Sequence, residues 1–410
     1  MLPVTEDRHR KAEDRTPILR PPTSALVPQS SPAGIYIHVP FCRAKCPYCD
    51  FYSVTALDRI DAFVKALPAE MEMQRPRIAH ADTVYFGGGT PSLLSARQIE
   101  TILDAVHTRF AVTANAEVTL EVNPGTVGRR DLDAFCRAGV NRLNIGLQST
   151  NDRTLSFLGR IHSADTGIAT YRDARDAGFD NVGLDLIYAV PGQTRKAWEA
   201  EMTRVVALAP DHLSCYTLTI EAGTPLARRV EEGRVRPLDE SIAGDLFSAT
   251  ADFLEANGYR QYEISNYARV CNKDRSDLRS RHNRKYWNFI DYLGFGPAAH
   301  SLSGATRRWN CPTLDEYMAA LQRGASPEAG REELTRNQQI LEAVYLGLRQ
   351  TGGIDTELFS SRFQSDFYDR FGKQVDQLAG EELLEKSETR VRLTRLGMRF
   401  LESVVQRMLD

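Results

Sequence analysis

The fold and the chemistry of this chain are indicated by one short stretch of sequence, Tyr36-Ile-His-Val-Pro-Phe-Cys42-Arg-Ala-Lys-Cys46-Pro-Tyr-Cys49. An apolar, β-branched run predicts a strand, and three cysteines follow it within eight residues. Pro40 and Pro47 resist helix formation and hold the segment open as a loop. Such a loop can wrap three thiolates around one metal centre. The sequence therefore predicts a metal site directly after the first strand.

Three interpretations of these cysteines are open on the residues alone. Zinc would need a fourth ligand, for which His38 is nearby. An iron–sulfur cluster usually takes four cysteines, so three would leave one iron open to a second molecule. Three unrelated buried thiols are the remaining interpretation, which the density of cysteines and the flanking prolines disfavour. The chain has seven cysteines, an odd number that does not suggest a disulfide framework.

The composition limits the partners and the location that we expect. The chain has 410 residues, of which 51 are basic and 54 acidic, and its formal net charge is −3. This balance argues against a protein that coats nucleic acid or an anionic membrane. There is no apolar run long enough to span a bilayer, and the first thirty residues lack the apolar segment of a signal peptide. We therefore expect a cytoplasmic protein with no transmembrane segment and no nucleic-acid partner.

Strand and helix patterns alternate from Gly34 to about residue 230. The alternation predicts a parallel sheet with right-handed crossovers, either open and doubly wound or curled into a barrel. In both cases the ligand site lies at the carboxyl ends of the strands. The predicted strands are 35–39, 83–86, 118–122, 142–146, 182–188 and 213–219. The predicted helices are 58–73, 96–110, 129–138, 164–177 and 195–207.

The ends of the chain and its middle follow other patterns. Residues 1–33 mix charges with prolines and predict a disordered tail. The alternation fails in residues 231–313, a connecting region with a charged insertion at 271–280 that looks like an exposed loop. Residues 314–410 are mainly amphipathic helix and predict a small accessory domain. A winged-helix role for that domain in nucleic-acid binding is a weaker alternative.

Further polar and glycine-rich residues follow the later strands. Tyr85-Phe-Gly-Gly-Gly-Thr-Pro91 lets the backbone approach a ligand, although a plain turn is an open alternative. A phosphate-binding loop is disfavoured because no Lys-Ser or Lys-Thr pair follows. A charge inside a curled sheet is costly unless it is paired, so the polar residues either pair with one another or converge on a polar ligand. These residues are Glu121, Gln148, Arg160 and Asp185.

The pattern CxxxCxxC after the first strand of a βα repeat resembles the radical S-adenosylmethionine (SAM) superfamily. The resemblance implies a partial (β/α)6 barrel over residues 34–230 and a [4Fe-4S] cluster held by Cys42, Cys46 and Cys49, with SAM on the open iron. The glycine-rich stretch and the polar residues look like those of the coproporphyrinogen dehydrogenase-like branch, which contains HemN and HemW. That branch has a helical C-terminal domain of the HemN type. In it, the SAM pocket would be lined by Tyr36, Gly88, Gly89, Thr90, Glu121, Gln148, Arg160 and Asp185.

Two features favour the HemW group of haem chaperones within this branch. The oxygen-independent coproporphyrinogen III dehydrogenases carry a further cysteine two residues after the third, and here Phe51 takes that position. Residues 282–287 read HNRKYW and match the HNxxYW motif that is associated with haem binding in HemW proteins. His282 is then the expected haem ligand. The basic residues around it, Arg279, Arg281, Arg284 and Lys285, are expected to meet the haem propionates.

The resemblance implies a haem chaperone with three cofactors, the [4Fe-4S] cluster, SAM and haem. Its expected partners are a haem-acceptor protein and an electron donor for the cluster. A coproporphyrinogen dehydrogenase or another tetrapyrrole-modifying enzyme is the alternative, so enzymatic activity stays open. A tRNA-modifying enzyme is disfavoured by the near-neutral charge. The other interpretation of HNxxYW is a helix that packs two aromatic rings, with His282 hydrogen-bonded in the interior.

Overall fold

The computed structural model describes residues 31–270 and 277–409. The predicted disordered tail lies outside the described residues up to residue 30. Most of the predicted exposed loop, including Cys271, lies outside them as well. The last residues of the predicted tail are ordered, because the first strand begins at Ala33.

The elements of the described chain are as follows. The strands are β1 Ala33–Val39, β2 His80–Gly88, β3 Ala111–Val122, β4 Arg142–Gln148, β5 Val182–Tyr188, β6 His212–Thr217, β7 Tyr259–Glu263, β8 Asn266–Arg269, β9 Tyr292–Phe295, β10 His300–Ser303, β11 Thr306–Asn310, β12 Glu328–Glu333, β13 Ile354–Asp355, β14 Leu384–Lys386 and β15 Arg390–Leu393. The helices are α1 Ile60–Gln74, α2 Ala96–Arg109, α3 Arg129–Arg137, α4 Asp152–Phe157, α5 Ala164–Asp176, α6 Arg195–Val206, α7 Pro225–Glu231, α8 Glu240–Ala256, α9 Arg281–Trp287, α10 Leu314–Gln322, α11 Arg336–Arg349, α12 Thr356–Phe363, α13 Phe367–Gly380, α14 Arg395–Arg399 and α15 Leu401–Leu409.

Strands β1 to β6 lie side by side in chain order, and every neighbouring pair is parallel. A doubly wound sheet reverses its strand order at a switch point, whereas a barrel adds each strand next to the previous one. This order fits the predicted partial (β/α)6 barrel and excludes the open doubly wound sheet. The strands carry fully buried apolar side chains such as Ile35, Val84 and Leu120, which pack in one large core.

The connecting region extends this sheet at both of its ends. On one side β9 pairs with β1 in parallel, and β10, β11 and β12 follow in antiparallel pairs. On the other side β8 pairs with β6 and β7 with β8, again antiparallel. The alternation of strand and helix thus ends where antiparallel pairing begins. The predicted division at residue 314 stays a prediction, although β12 lies beyond it and still belongs to the large sheet.

The C-terminal region is mainly helical, as predicted. Helices α11 to α15 surround a small antiparallel sheet in the order β13-β15-β14 and enclose a second apolar core that begins at Ile340. Helix α13 exposes acids and bases together and so presents no basic stripe; its exposed charged residues are Asp369, Arg370, Lys373 and Asp376. None of the helices in the described ranges is long and apolar enough to cross a membrane.

Candidate functional site

The cysteine loop is fixed where it leaves β1 and where it returns. The amide of Cys42 donates to the carbonyl of Val54 at 2.9 Å, and the amide of Val54 donates to the carbonyl of Pro40 at 2.7 Å. Phe41 is fully buried and packs edge-on against Phe63. These contacts hold the loop at the carboxyl end of β1, where all three half-buried cysteines line one cavity.

Polar side chains from two other strand ends contact the sulfur atoms. The hydroxyl of Thr90 donates to Cys42 Sγ at 3.5 Å, and the guanidinium of Arg160 donates to Cys46 Sγ at 3.7 Å. Asn123 joins the two, because its amide donates to Thr90 at 2.8 Å and its oxygen accepts from Arg160. A nearby cation favours the thiolate form that binds metals. Burial raises the pKa of the Cys49 thiol, and the neighbouring thiols add to the effect.

Sequence reasoning missed Asn123, although a signal for it was present. It follows Glu121 by two residues, and Thr90 and Arg160 had both been assigned to the same predicted pocket. A polar side chain at the carboxyl end of the third strand therefore belonged with the others. Sequence patterns also assign no role to Tyr85, at the start of the glycine-rich stretch.

The zinc interpretation with His38 as the fourth ligand does not match the geometry. Both ring nitrogens of His38 are engaged, with the hydroxyl of Tyr36 at 3.1 Å and the carbonyl of Tyr52 at 3.0 Å. Within the ranges that the structure describes, no three His, Cys, Asp or Glu side chains lie close enough to hold a single ion. A cluster bonds each thiolate to a different iron, so it fits thiols that share a cavity at wider spacing.

The glycine-rich stretch packs its backbone against the cysteine loop. The amide of Gly89 donates to the carbonyl of Val39 at 2.9 Å. A Cβ at this position would lie 2.7 Å from the carbonyl oxygen of Phe41, a distance that real Cβ atoms do not show. Gly88 has a φ of +106°, which side chains rarely allow. Residue types without a Cβ are therefore required here, and both glycines line the same cavity as the cysteines.

Three buried polar atoms near this cavity have no hydrogen-bond partner among the described residues. They are Gln148 Oε1, Arg160 Nε and Asp185 Oδ1. Gln148 also has a φ of +63°, a conformation that costs a non-glycine residue about 1–2 kcal/mol. Strain and unpaired buried atoms together indicate a binding site whose ligand completes the contacts.

Two carboxylates in the barrel interior are short of positive charge. The hydroxyl of Tyr85 donates to Glu121 at 2.8 Å. Burial, with a smaller contribution from the charge of Asp185, raises the pKa of Glu121 to about 7, against hydrogen bonds from Tyr85 and the Gly88 backbone. Burial also raises the pKa of Asp185 to about 6, against hydrogen bonding from Ser214 and the charges of Arg142 and Arg160. A cationic ligand beside these carboxyls would stabilise their charged forms.

His282 lies near the amino ends of β1 and β2, away from the cysteine loop. Its side chain is 1% exposed, and it stacks on Tyr85 with 5.0 Å between ring centroids. One ring nitrogen bonds the hydroxyl of Thr83 and the other that of Tyr286, both at 2.8 Å. This matches the interpretation of HNxxYW as a packing helix. Because both nitrogens are engaged, His282 binds an iron only if its ring leaves this position, and its role as haem ligand stays a prediction.

The basic residues around His282 are paired with carboxylates in this structure. Lys285 and Arg281 both contact Asp82, at 2.5 and 2.9 Å. Arg279 and Arg284 both pair with Asp277. That these side chains meet haem propionates stays a prediction, and each would have to exchange its carboxylate partner for a propionate.

Comparison with known proteins agrees with this fold and site. The family model of the radical SAM superfamily matches residues 36–205, and that of the HemN C-terminal domain matches residues 334–400. The solved structure of coproporphyrinogen III oxidase (HemN) from Escherichia coli, titled a radical SAM enzyme, superposes with a TM-score of 0.80. It is 23% identical, and the match covers 94% of this chain and 92% of that one. The barrel with its three-cysteine loop is that of a radical SAM protein.

Curated relatives narrow the class to one family. The haem chaperone HemW of Bacillus subtilis is 32% identical over 366 residues, which cover 88% of this chain and 95% of the relative. HemW of Lactococcus lactis is 32% identical over 379 residues, with 92% of this chain and 97% of the relative covered. The chain belongs to the HemW family of the radical SAM superfamily.

Proposed function

We propose that this protein is a haem chaperone that binds a [4Fe-4S] cluster, SAM and haem and passes the haem to an acceptor protein. The observation that carries the proposal is the similarity to HemW proteins along almost their whole length. That similarity includes both the barrel and the C-terminal region. It therefore extends beyond the SAM-binding part that radical SAM proteins of many functions share.

In this proposal Cys42, Cys46 and Cys49 hold the cluster, which when bound supplies an electron and an iron open to SAM. Thr90 and Arg160 orient two of the sulfur atoms through the contacts described above. The remaining residues form the SAM pocket. Gly88 and Gly89 bring their backbone close to SAM. Gln148 and Asp185 offer it the side-chain oxygens that have no partner among the described residues. The carboxylate of Glu121 interacts with the positive sulfonium of SAM. Tyr36 contributes an aromatic ring to the pocket and stacks on Tyr85.

The alternative function is oxidation of coproporphyrinogen, which the fold of HemN keeps open. One residue argues against it. Phe51 occupies the position of the additional cysteine of the dehydrogenases, and its side chain is 67% exposed beside the cysteine loop. A phenyl ring supplies neither a thiol nor a proton there. We therefore favour the chaperone.

The test combines three measurements on anaerobically reconstituted protein. Iron and sulfide content with visible absorption reports the cluster, haem titration reports haem binding, and turnover of coproporphyrinogen reports the alternative. We expect Cys46→Ala to lose the cluster, whereas Cys136→Ala, which changes a cysteine outside the site, keeps it. Stoichiometric zinc in the wild type would contradict the cluster, and formation of protoporphyrinogen would contradict the chaperone.

The partners and the location remain predictions from sequence. An acceptor protein follows from the function that we propose, and an electron donor follows from the cluster. The cytoplasmic location and the lack of a nucleic-acid partner stay expectations of the composition.

A further inference from the structure

A large apolar cleft lies between the sheet extension and the C-terminal helices. It has a volume of about 510 Å³, within the range of small-ligand pockets. One wall comes from α9, β9, β10 and β11, and the other comes from α11 and α15. Its apolar lining consists of Tyr286, Phe289, Tyr292, Leu302, Leu341, Tyr345, Leu346, Val405 and Leu409. Aromatic rings thus supply much of the surface.

The charges at this cleft suit a ligand that carries carboxylates. Arg307 lines it and is held by Glu332 at 3.1 Å and by Glu342 at 2.5 Å. Arg362 is not part of the lining and lies over Phe289, with its guanidinium 4.7 Å from the ring centroid. It donates only to backbone carbonyls, and it has no carboxylate partner among the residues that the structure describes. Burial lowers the pKa of Arg362 to about 10, which still leaves it charged at neutral pH.

The HNxxYW helix connects the cleft to the barrel. His282 faces the barrel interior and is closed off from the cleft by the hydroxyl of Tyr286. The ring of Tyr286 lines the cleft and packs edge-on against Tyr292 at 4.6 Å. The motif therefore presents an aromatic wall to the cleft and keeps its imidazole on the other side.

We propose that this cleft is the haem site, with the porphyrin ring between the tyrosines of α9, β9 and α11 and a propionate at Arg307. The proposal rests on the haem-binding function proposed above. A flat, largely apolar ring with carboxylates at its edge matches aromatic walls with a guanidinium group in the same lining. Glu342 is the one carboxylate in the lining and competes with a propionate for Arg307.

Haem titration of the full-length protein, followed by Soret absorption, tests the proposal. Leu341→Glu and Leu409→Glu place a carboxylate in the cleft at side chains that are 36% and 37% exposed, so the fold tolerates them. We expect the double variant to bind ferric haem at least tenfold more weakly. The matched control is Leu358→Glu, the same change at an exposed leucine on α12 outside the cleft, and it is expected to bind as the wild type does.

A gain of affinity provides a second, independent readout. Glu342→Gln removes the competitor in the lining and leaves Arg307 with Glu332 as its one carboxylate partner among the described residues, so we expect haem to bind several-fold more tightly. Unchanged or weaker binding in this variant would overturn the assignment of Arg307 to a propionate. Circular dichroism confirms that each variant is folded, and size-exclusion chromatography shows whether the cleft instead joins two copies of the chain.

The outcomes separate this proposal from the proposed function. A wild type that binds no haem contradicts both. A wild type that binds haem, with the double variant binding equally well, overturns the cleft and leaves the chaperone standing. A change in oligomeric state without a change in haem affinity overturns the cleft as well.

Discussion

Gln148 combines a strained backbone with a buried side-chain oxygen that has no hydrogen-bond partner among the residues of 31–270 and 277–409. Glycine would adopt its φ of +63° without strain, so we expect Gln148→Gly to leave the free energy of unfolding unchanged or to raise it by up to about 1 kcal/mol. The lost side chain removes one ligand contact, so SAM affinity of the reconstituted protein should fall about tenfold. Chemical denaturation and equilibrium SAM binding check the two effects.

Ala209→Gly is the control for this prediction. Ala209 has a φ of +52° as well, but it is exposed and lies at the end of α6, far from the cysteine loop in sequence. We expect a similar effect on stability with no effect on SAM. A Gln148→Gly protein that binds SAM as well as the wild type would remove Gln148 from the pocket.

The buried carboxyls predict how SAM binding depends on pH. Glu121 and Asp185, with pKa values of about 7 and 6, take up protons as the pH falls through this range. SAM carries a positive sulfonium and favours their ionised forms. Its affinity should therefore rise as the pH increases from 5.5 to 7.5 and level off above pH 8. Isothermal titration across this range checks the profile.

Glu121→Gln is the variant that separates the two carboxyls. It should bind SAM more weakly at pH 8 and show a shallower pH profile. Because the pKa of Glu121 is raised on folding, the ionised carboxyl destabilises the folded protein at pH 8. Glu121→Gln removes that cost, so its free energy of unfolding at pH 8 should be higher than that of the wild type by about 1–3 kcal/mol. A profile as steep as that of the wild type would contradict this role.

At the scale of elements, α9 is anchored through its N-terminus and through His282. The carboxylate of Glu117 accepts from the amides of Arg281 and His282 at 3.1 and 3.0 Å. His282→Ala leaves Thr83 and Tyr286 without their shared partner. We expect this variant to lose about 2–4 kcal/mol of unfolding free energy even without haem, as measured by denaturant titration. His107→Ala, at an exposed histidine on α2, should change it by less than about 0.5 kcal/mol.

The pH dependence of stability gives His282 a second signature. Burial lowers the pKa of His282 to about 3. Between pH 6.5 and pH 3 its imidazole is therefore protonated in the unfolded chain and neutral in the folded chain. The stability that the wild type has above pH 6.5 should therefore be lost progressively as the pH falls toward 3. His282→Gln removes this titration and should show a smaller loss. Equal losses in both proteins would show that His282 is not buried in its neutral form.

Sequence patterns predicted the elements of the barrel well but missed the strands of the sheet extension. The predicted strand 182–188 coincides with β5, and the predicted helix 195–207 differs from α6 by one residue. Strand β3 begins earlier than predicted, at Ala111, because its first five residues are exposed or half-buried and have no period to detect. Strands β7 to β12 were not predicted, since most are four or five residues long and some pair with partners far away in the chain.

The residues of the candidate site also differ in how well sequence patterns predict them. The cysteines and glycines were predictable because their chemistry depends on local spacing. The surroundings of His282 were not, because its partner Thr83 is 199 residues away and only the folded sheet brings them together. For the same reason the sequence predicted the HNxxYW helix but not which of its faces is buried.

At the scale of the whole molecule, a buried ion pair is one of the contacts between the two cores. Arg349, at the end of α11, contacts Glu263 at the end of β7 at 2.7 Å, and Glu263 is fully buried. Ile264 and Met398 pack against both cores. Arg349→Ala leaves a buried carboxylate without its cation, which costs about 3–5 kcal/mol. We expect the C-terminal region to unfold separately and earlier, as a second transition in calorimetry.

The control for this prediction is Arg392→Ala. Its ion pair with Glu385 is half exposed on both sides, so its removal should cost less than about 1 kcal/mol. Limited proteolysis should release the C-terminal region from the Arg349→Ala protein and not from this control. A single transition in both variants would mean that the apolar contacts alone hold the cores together.

The pairing of β1 with β9 also bears on how the chain is made. Gly34 lies opposite Tyr292, so the strand that leads into the cysteine loop gains its second neighbour only after about 260 further residues have been translated. The carboxylate of Glu70 on α1 likewise accepts hydrogen bonds from Asn310 and Tyr317, which are translated much later. A nascent chain that has emerged only through β6 already carries all three cysteines of the loop, but on a strand with one open edge. The cysteine loop therefore reaches its final support only after the ribosome has delivered β9.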